Sequence, residues 1–160
     1  MVTDPEKGKS RTLVHDEFAE SRIAAFEAAW QSGHAPSLAD DFFAASHDDS
    51  KSLRWQLVAV DLEYRWNRAY STQAGQDALG VCPTLVRYVV QVPEIGKLID
   101  LPAWLVAEEY RVRRLWGDRP THDRFLASYP GQVAELVGLL PLRTWFEITS
   151  RFHPDSGMAR

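Results

Sequence analysis

Proline sets the limits on how this chain can fold. An eleven-residue stretch bounded by prolines, PTLVRYVVQVP (Pro83 to Pro93), recurs as PTHDRFLASYP (Pro120 to Pro130), with Pro-Thr first, Arg fifth, an aromatic sixth and proline last. Proline has no amide proton to give to a helix, and it pushes the residue before it out of the helical region. Each stretch can therefore hold a helix of only about two turns, with Thr84 or Thr121 placed to cap it.

The repetition extends beyond the prolines. LVAVDLEYR (Leu57 to Arg65) precedes the first copy and LVAEEYR (Leu105 to Arg111) the second; LIDLPAW (Leu98 to Trp104) and LVGLLPLRTW (Leu136 to Trp145) follow them. An insertion, mostly Ser71 to Val81, accounts for the difference in spacing. A fainter first version reads FEAAW, Gly33, Pro36, Ser37 and Phe42-Phe43. Each unit is a long helix, a proline corner, a two-turn helix and an exit. One such unit cannot bury its apolar face, but stacked units can. The expectation is an all-α fold of tandem helix-corner-short helix units, packed as a compact helical bundle or short solenoid. The units fall at about 14–45, 53–101 and 102–145 in a single domain spanning 13–152, between a disordered lead-in (1–12) and a tail or linker (153–160).

Periodicity fills in the helices. One runs from about Val14 to Gln31, and Ser37 can cap a short second one. Leu53 to Tyr70 carries two opposite apolar stripes, Leu53, Leu57, Val60 and Tyr64 against Trp55, Val58, Leu62 and Trp66, which places it between neighbours. Pro102 to Trp116 is the next long helix, ended by Gly117. The last apolar stretch, Val133 to Phe152, is broken at Pro141. Glu109 interrupts the stripe of Leu105, Val112 and Trp116. Ionised residues are rarely buried, which favours an edge carboxylate reaching solvent or an arginine; a buried ion pair that fixes helix register is the other reading.

Composition restricts the chemistry. The 160 residues are 45% hydrophobic and 25% charged, with a net charge of −4 and mixed signs, which argues against a nucleic-acid binder. Cys82 is the one cysteine and excludes an internal disulfide. Together with a charged, apolar-poor start (MVTDPEKGKSRT) and no apolar run of membrane length, it makes the cytoplasm the expected compartment and a membrane role unexpected. Five histidines lack metal-binding spacing, Cys82 reads as a structural thiol, and there is no Walker loop or GxGxxG, so no cofactor is expected. Gly117-Asp118-Arg119-Pro120 reads as a turn in which Asp118 satisfies nearby amides and Arg119 faces solvent. Arg111, Arg113 and Arg114, beside Glu108 and Glu109, read as a solvated face. Six tryptophans fit core packing, but any left exposed would mark a protein-binding surface; Trp66, Trp104 and Trp116 are the candidates.

The order of FEAAW, Gly and Pro-Ser, LVAVDLEYRW, AEEYR, GDRPT and an aromatic five residues before a proline resembles the N-terminal non-catalytic helical region of planctomycete-type bacterial serine/threonine protein kinases, over roughly Phe26 to Pro130. The Gly-rich loop, the VAIK-like lysine, HRD and DFG of the kinase domain itself are absent, so no catalytic residue carries over. The resemblance implies a signalling context and a regulatory or docking segment whose protein partner is a kinase domain in cis or in trans. The candidate interaction or structural-polar residues are Glu63, Tyr64, Arg65, Glu109, Tyr110, Arg111 and Asp118. The alternative is a small-molecule sensor or enzyme with Glu63, Tyr64, Glu109, Tyr110 and Arg111 lining a pocket between helices.

Overall fold

The computed structural model describes residues 6–39, 51–71 and 82–140, with side chains from Glu17 onward. Among them are six α-helices and no strand: α1 (Glu6–Gln31), α2 (Lys51–Ser71), α3 (Leu85–Gln91), α4 (Ala103–Trp116), α5 (His122–Ser128) and α6 (Val133–Leu139). Two 3-10 turns, Pro93–Ile95 and Leu98–Asp100, lead from α3 to α4. The chain is thus all-α, and its helices pack against one another as a compact bundle. α1 starts at Glu6, so the helix takes in most of the stretch expected to be a disordered lead-in. The charge of that stretch hid its helix propensity: Glu, Lys and Arg are good helix formers and make up four of the seven residues from Glu6 to Thr12. Of the helix expected after Ser37 only Leu38 and Ala39 are described; the insertion at 72–81 and everything from Pro141 onward, including the 153–160 tail, lie outside the described residues.

The two-striped helix is central. α2 lies between α1 and α4, and α6 lies beside α4. Leu53, Leu57, Val58, Leu62 and Trp66 of α2 join Phe26 and Trp30 of α1 and Leu105, Val106 and Val112 of α4 in one buried cluster. Each large side chain so buried contributes about 1.5–3 kcal/mol. Tyr64 stacks on Trp30, with ring centroids 5.6 Å apart and planes 11° from parallel, joining the first long helix to the second.

The repeat is a property of the backbone as well as of the letters. Cys82 and Arg119, the residues before Pro83 and Pro120, both take a left-handed conformation, with φ of 61° and 49°. No other described non-glycine residue does so. That region is disfavoured by about 1–2 kcal/mol for a residue with a Cβ. The far ends match too: Val92 before Pro93 has φ −133° and ψ 72°, and Tyr129 before Pro130 has φ −131° and ψ 59°. The caps differ. Thr121 Oγ1 accepts from the Arg124 amide at 3.4 Å, whereas Thr84 occupies the N-cap position without a side-chain bond. This corrects the capping role expected of Thr84.

Gly117 ends α4, its amide bonded to Arg113 O at 3.0 Å. A Cβ there would lie 2.0 Å from the Trp66 ring. That ring is held in place, because Trp66 Nε1 donates to Pro83 O at 2.9 Å. Gly117→Ala is therefore expected to lower stability by about 1–3 kcal/mol through overpacking, seen as a fall in Tm. Arg119→Gly should leave Tm unchanged or raise it, while the β-branched Arg119→Val should lower it, because only the second worsens a left-handed corner.

Candidate functional site

The polar candidates are best placed from the register of the two long helices. With Leu57-Val58-Ala59 of α2 set on Leu105-Val106-Ala107 of α4, Asp61 falls on Glu109 and Arg65 on Arg113. The match suggested by the letters Glu-Tyr-Arg, 63–65 against 109–111, is two residues out of this register. The structure favours the former. Asp61 and Glu109 are each fully buried, and each is paired with the arginine one turn later.

Glu109 accepts from three groups. Its Oε2 accepts from the Leu85 amide at the start of α3 (2.7 Å) and from the Tyr129 hydroxyl just beyond α5 (2.5 Å). Its Oε1 accepts from Arg113 Nη1 at 2.9 Å. Arg113 continues outward to Asp118 through Nε (2.9 Å) and Nη2 (2.7 Å). The expected edge carboxylate is therefore a buried one, and the less favoured reading of Glu109 is the one the structure has. In the other unit, Asp61 Oδ2 accepts from Tyr88 Oη (2.5 Å) in α3 and from Arg65 Nε (2.7 Å). Both arginines also lie near an aromatic face, Arg65 5.3 Å from the centroid of Trp30 and Arg113 5.8 Å from that of Phe125.

Electrostatics fits this arrangement. Burial, and then the Glu109 charge, drive the Tyr129 phenol far above its usual range, which keeps it a donor. Hydrogen bonding to Asp118 leads the groups that raise the Arg113 guanidinium, and the same bond holds the Asp118 carboxyl below its usual range. Removing a carboxylate from water costs several kcal/mol, which charge-assisted bonds of about 1.5–3 kcal/mol each can offset.

The remaining candidates are dispersed. Glu63 pairs with Arg111 across α2 and α4 at 2.9 Å. Burial raises its carboxyl, with Arg111 opposing. Arg111 also grips Glu108, its Nε within 2.9 Å of both oxygens and its Nη2 on Oε1, and lies 5.8 Å from the Trp116 ring centroid. Tyr64 faces α1, where its hydroxyl accepts from Gln31 Nε2 at 3.3 Å. Tyr110 is buried and faces α5, its hydroxyl 2.6 Å from His122 Nδ1. With His122 Nε2 3.3 Å from Leu140 O, a ring protonated at Nε2 donates to that carbonyl and accepts from Tyr110. Glu63 and Arg111 thus pair with each other across α2 and α4, while Tyr64, Glu109 and Tyr110 turn to other neighbours.

Of the aromatic candidates, Trp66 is corrected to a core residue, only 5% exposed, and Trp116 is half-buried. Trp104 stands exposed. Sequence reasoning passed over Asp61, Tyr88, His122 and Tyr129, and it read Arg113 as part of a solvated face, whereas the Arg113 side chain is mostly covered and bonded to the buried Glu109. The signal for the first was present: an acid between Leu57 and Leu62 on an apolar helix, with an arginine one turn later. Among the described residues no group of three His, Cys, Asp or Glu side chains could hold a metal ion, and no helix is long and apolar enough to cross a membrane. Set against models of protein families, curated proteins and solved structures, the chain matches none of them.

Glu109→Ala strands Arg113 and opens two buried donors, and should cost about 3–5 kcal/mol in urea-unfolding free energy. Tyr129→Phe should cost about 1–3 kcal/mol. Because the folded pKa of Tyr129 is raised, its contribution is fully present below the unfolded value of about 10 and is lost as pH rises above it. The urea midpoint should therefore fall between about pH 9 and pH 11, and less steeply in Tyr129→Phe.

Proposed function

We propose that this chain is a non-catalytic protein-interaction module that docks a serine/threonine kinase domain, in cis or in trans, and regulates it. The observation that carries this reading is the face of α3. Val86 and Val90 stand one turn apart in solvent, Val90 with 71% of its surface open, while Leu85 and Tyr88 fill the core. Two valines on one helical face suit insertion into an apolar groove of a partner. The fully buried carboxylates, Asp61 and Glu109, lie in the core and accept hydrogen bonds from neighbouring helices, which favours a scaffold over a reacting site. The order of sequence motifs supplies the kind of partner.

The test mixes the purified chain with a separately purified planctomycete-type serine/threonine kinase domain and measures binding and phosphorylation of a generic substrate. Val86→Glu with Val90→Glu should keep the wild-type Tm and weaken the complex at least about tenfold, the equivalent of 1.4 kcal/mol. If the wild-type chain neither binds the kinase domain nor alters its activity, the reading fails.

A further inference from the structure

α3 and α5 hold corresponding places in the two proline-bounded stretches, and they are buried alike: Tyr88 and Phe125 lie in the core, as do Val92 and Tyr129, while Val89 and Leu126 are half-covered. The outward positions correspond as well. Val86, Arg87, Val90 and Gln91 face solvent from α3, and Asp123, Arg124, Ala127 and Ser128 from α5. Single apolar residues on a surface are ordinary. Two of them one turn apart, 46% and 71% exposed, at places where the sister helix has Asp and Ala, set the α3 face apart. Packing does not call for these valines, because α5 sits in its own corner without them. The charges differ too: Arg87 is the one charged residue between Pro83 and Pro93, whereas in α5 Asp123 stands next to Arg124. At about 100° per residue Arg87 flanks the line from Val86 to Val90, so the face is apolar with a cation at its rim, on a chain whose net charge is −4.

We infer that the α3 face fits a partner groove that is apolar with a carboxylate at its edge, the valines entering the groove and Arg87 pairing with the carboxylate, while α5 takes no part in docking. This rests on the kinase-docking reading and extends it to the chemistry of the kinase surface and to a single site per chain. Charge decides against a second copy as the occupant. A two-fold pairing sets the same patch on itself, which brings Arg87 against Arg87 with no acid on either α3 to meet them. Such like-charge juxtaposition works against the pair, whereas a carboxylate at the groove edge turns the same charge into an attraction and fixes the direction in which the helix lies. The guanidinium fork suits that task, since it can take both oxygens of a carboxylate. Arg124 is placed otherwise: Asp123 adjoins it, and Asp118 lies within its electrostatic reach.

The test measures binding of the full 160-residue chain to the separately purified serine/threonine kinase domain, together with Tm and solution mass. Val86→Asp with Val90→Ala, which writes the α5 residues into α3, should keep the wild-type Tm and weaken the complex at least about tenfold. Arg87→Glu should weaken it by a similar factor, and Arg124→Glu by less than about twofold. Raising the salt from about 0.05 M to about 0.5 M should weaken the wild-type complex more than that of Arg87→Gln, which has no ion pair to screen. If the paired valine variant does not fold, the two arginine variants still decide. Binding by Arg87→Glu equal to wild type, or equal losses from Arg87→Glu and Arg124→Glu, overturns this inference and leaves the kinase-docking reading in place; a wild-type chain that does not bind the kinase domain overturns both. A dimer of the free chain that Val90→Ala dissociates would assign the face to a second copy and equally overturn the inference.

Discussion

The buried carboxylate of Glu109 is the interaction on which the arrangement of this bundle depends. It takes the first amide of α3, the hydroxyl of Tyr129 beyond α5 and the guanidinium of Arg113 on its own helix, so one side chain fixes three parts of the chain against each other. Apolar contacts among Leu105, Val106 and Val112 would tolerate a small slide of α4 along its neighbours. A carboxylate with three geometrically defined bonds does not, because any slide leaves a buried charge short of partners. Arg113 then relays the constraint to Asp118 in the turn, where Gly117 must pass beneath the Trp66 ring.

Asp61 repeats this design one unit earlier with a change of part. The hydroxyl comes from Tyr88, the aromatic of the PTLVRYVVQVP stretch, while in PTHDRFLASYP that place is held by Phe125 and the hydroxyl is supplied one turn later by Tyr129. Phe125 and Tyr129 lie 5.0 Å apart, so either place can reach the space above the long helix. Conservation of the bond with migration of its donor is what a tandem array permits, since each unit needs the carboxylate satisfied and not a particular residue to satisfy it. The left-handed residues before Pro83 and Pro120 carry the same logic into the backbone.

The repeat, the proline limits and the central place of α2 were legible because they rest on short-range rules: missing amide protons, capping positions and a 3.6-residue period. Glu109 was not. A carboxylate at an apolar position is normally an edge residue, and what keeps this one inside are donors 20 and 24 residues away that no local pattern reveals. Trp66 and Trp104 show the same gap. Both sit on amphipathic helices, yet one lies under Pro83 and against Gly117 while the other stands at an open end. The start of α1 was missed for the converse reason, since a charged stretch can be helical without being amphipathic.

These polar anchors bear on how such a scaffold can present a surface. α3 has seven residues, too few to hold a helix in water by propensity alone. It is held at its first residue by Glu109, through the Leu85 amide, and in the middle by Asp61, through Tyr88. Both anchors act on its inner face, so the outer face of Val86 and Val90 is rigid without any side chain there taking part. A partner meeting that face would find it already ordered, and less of its binding energy would go into fixing the helix. The two buried carboxylates thereby bear on how well ordered that face is, and substitutions on the outer face can change what it contacts while leaving the anchors, and hence the fold, untouched.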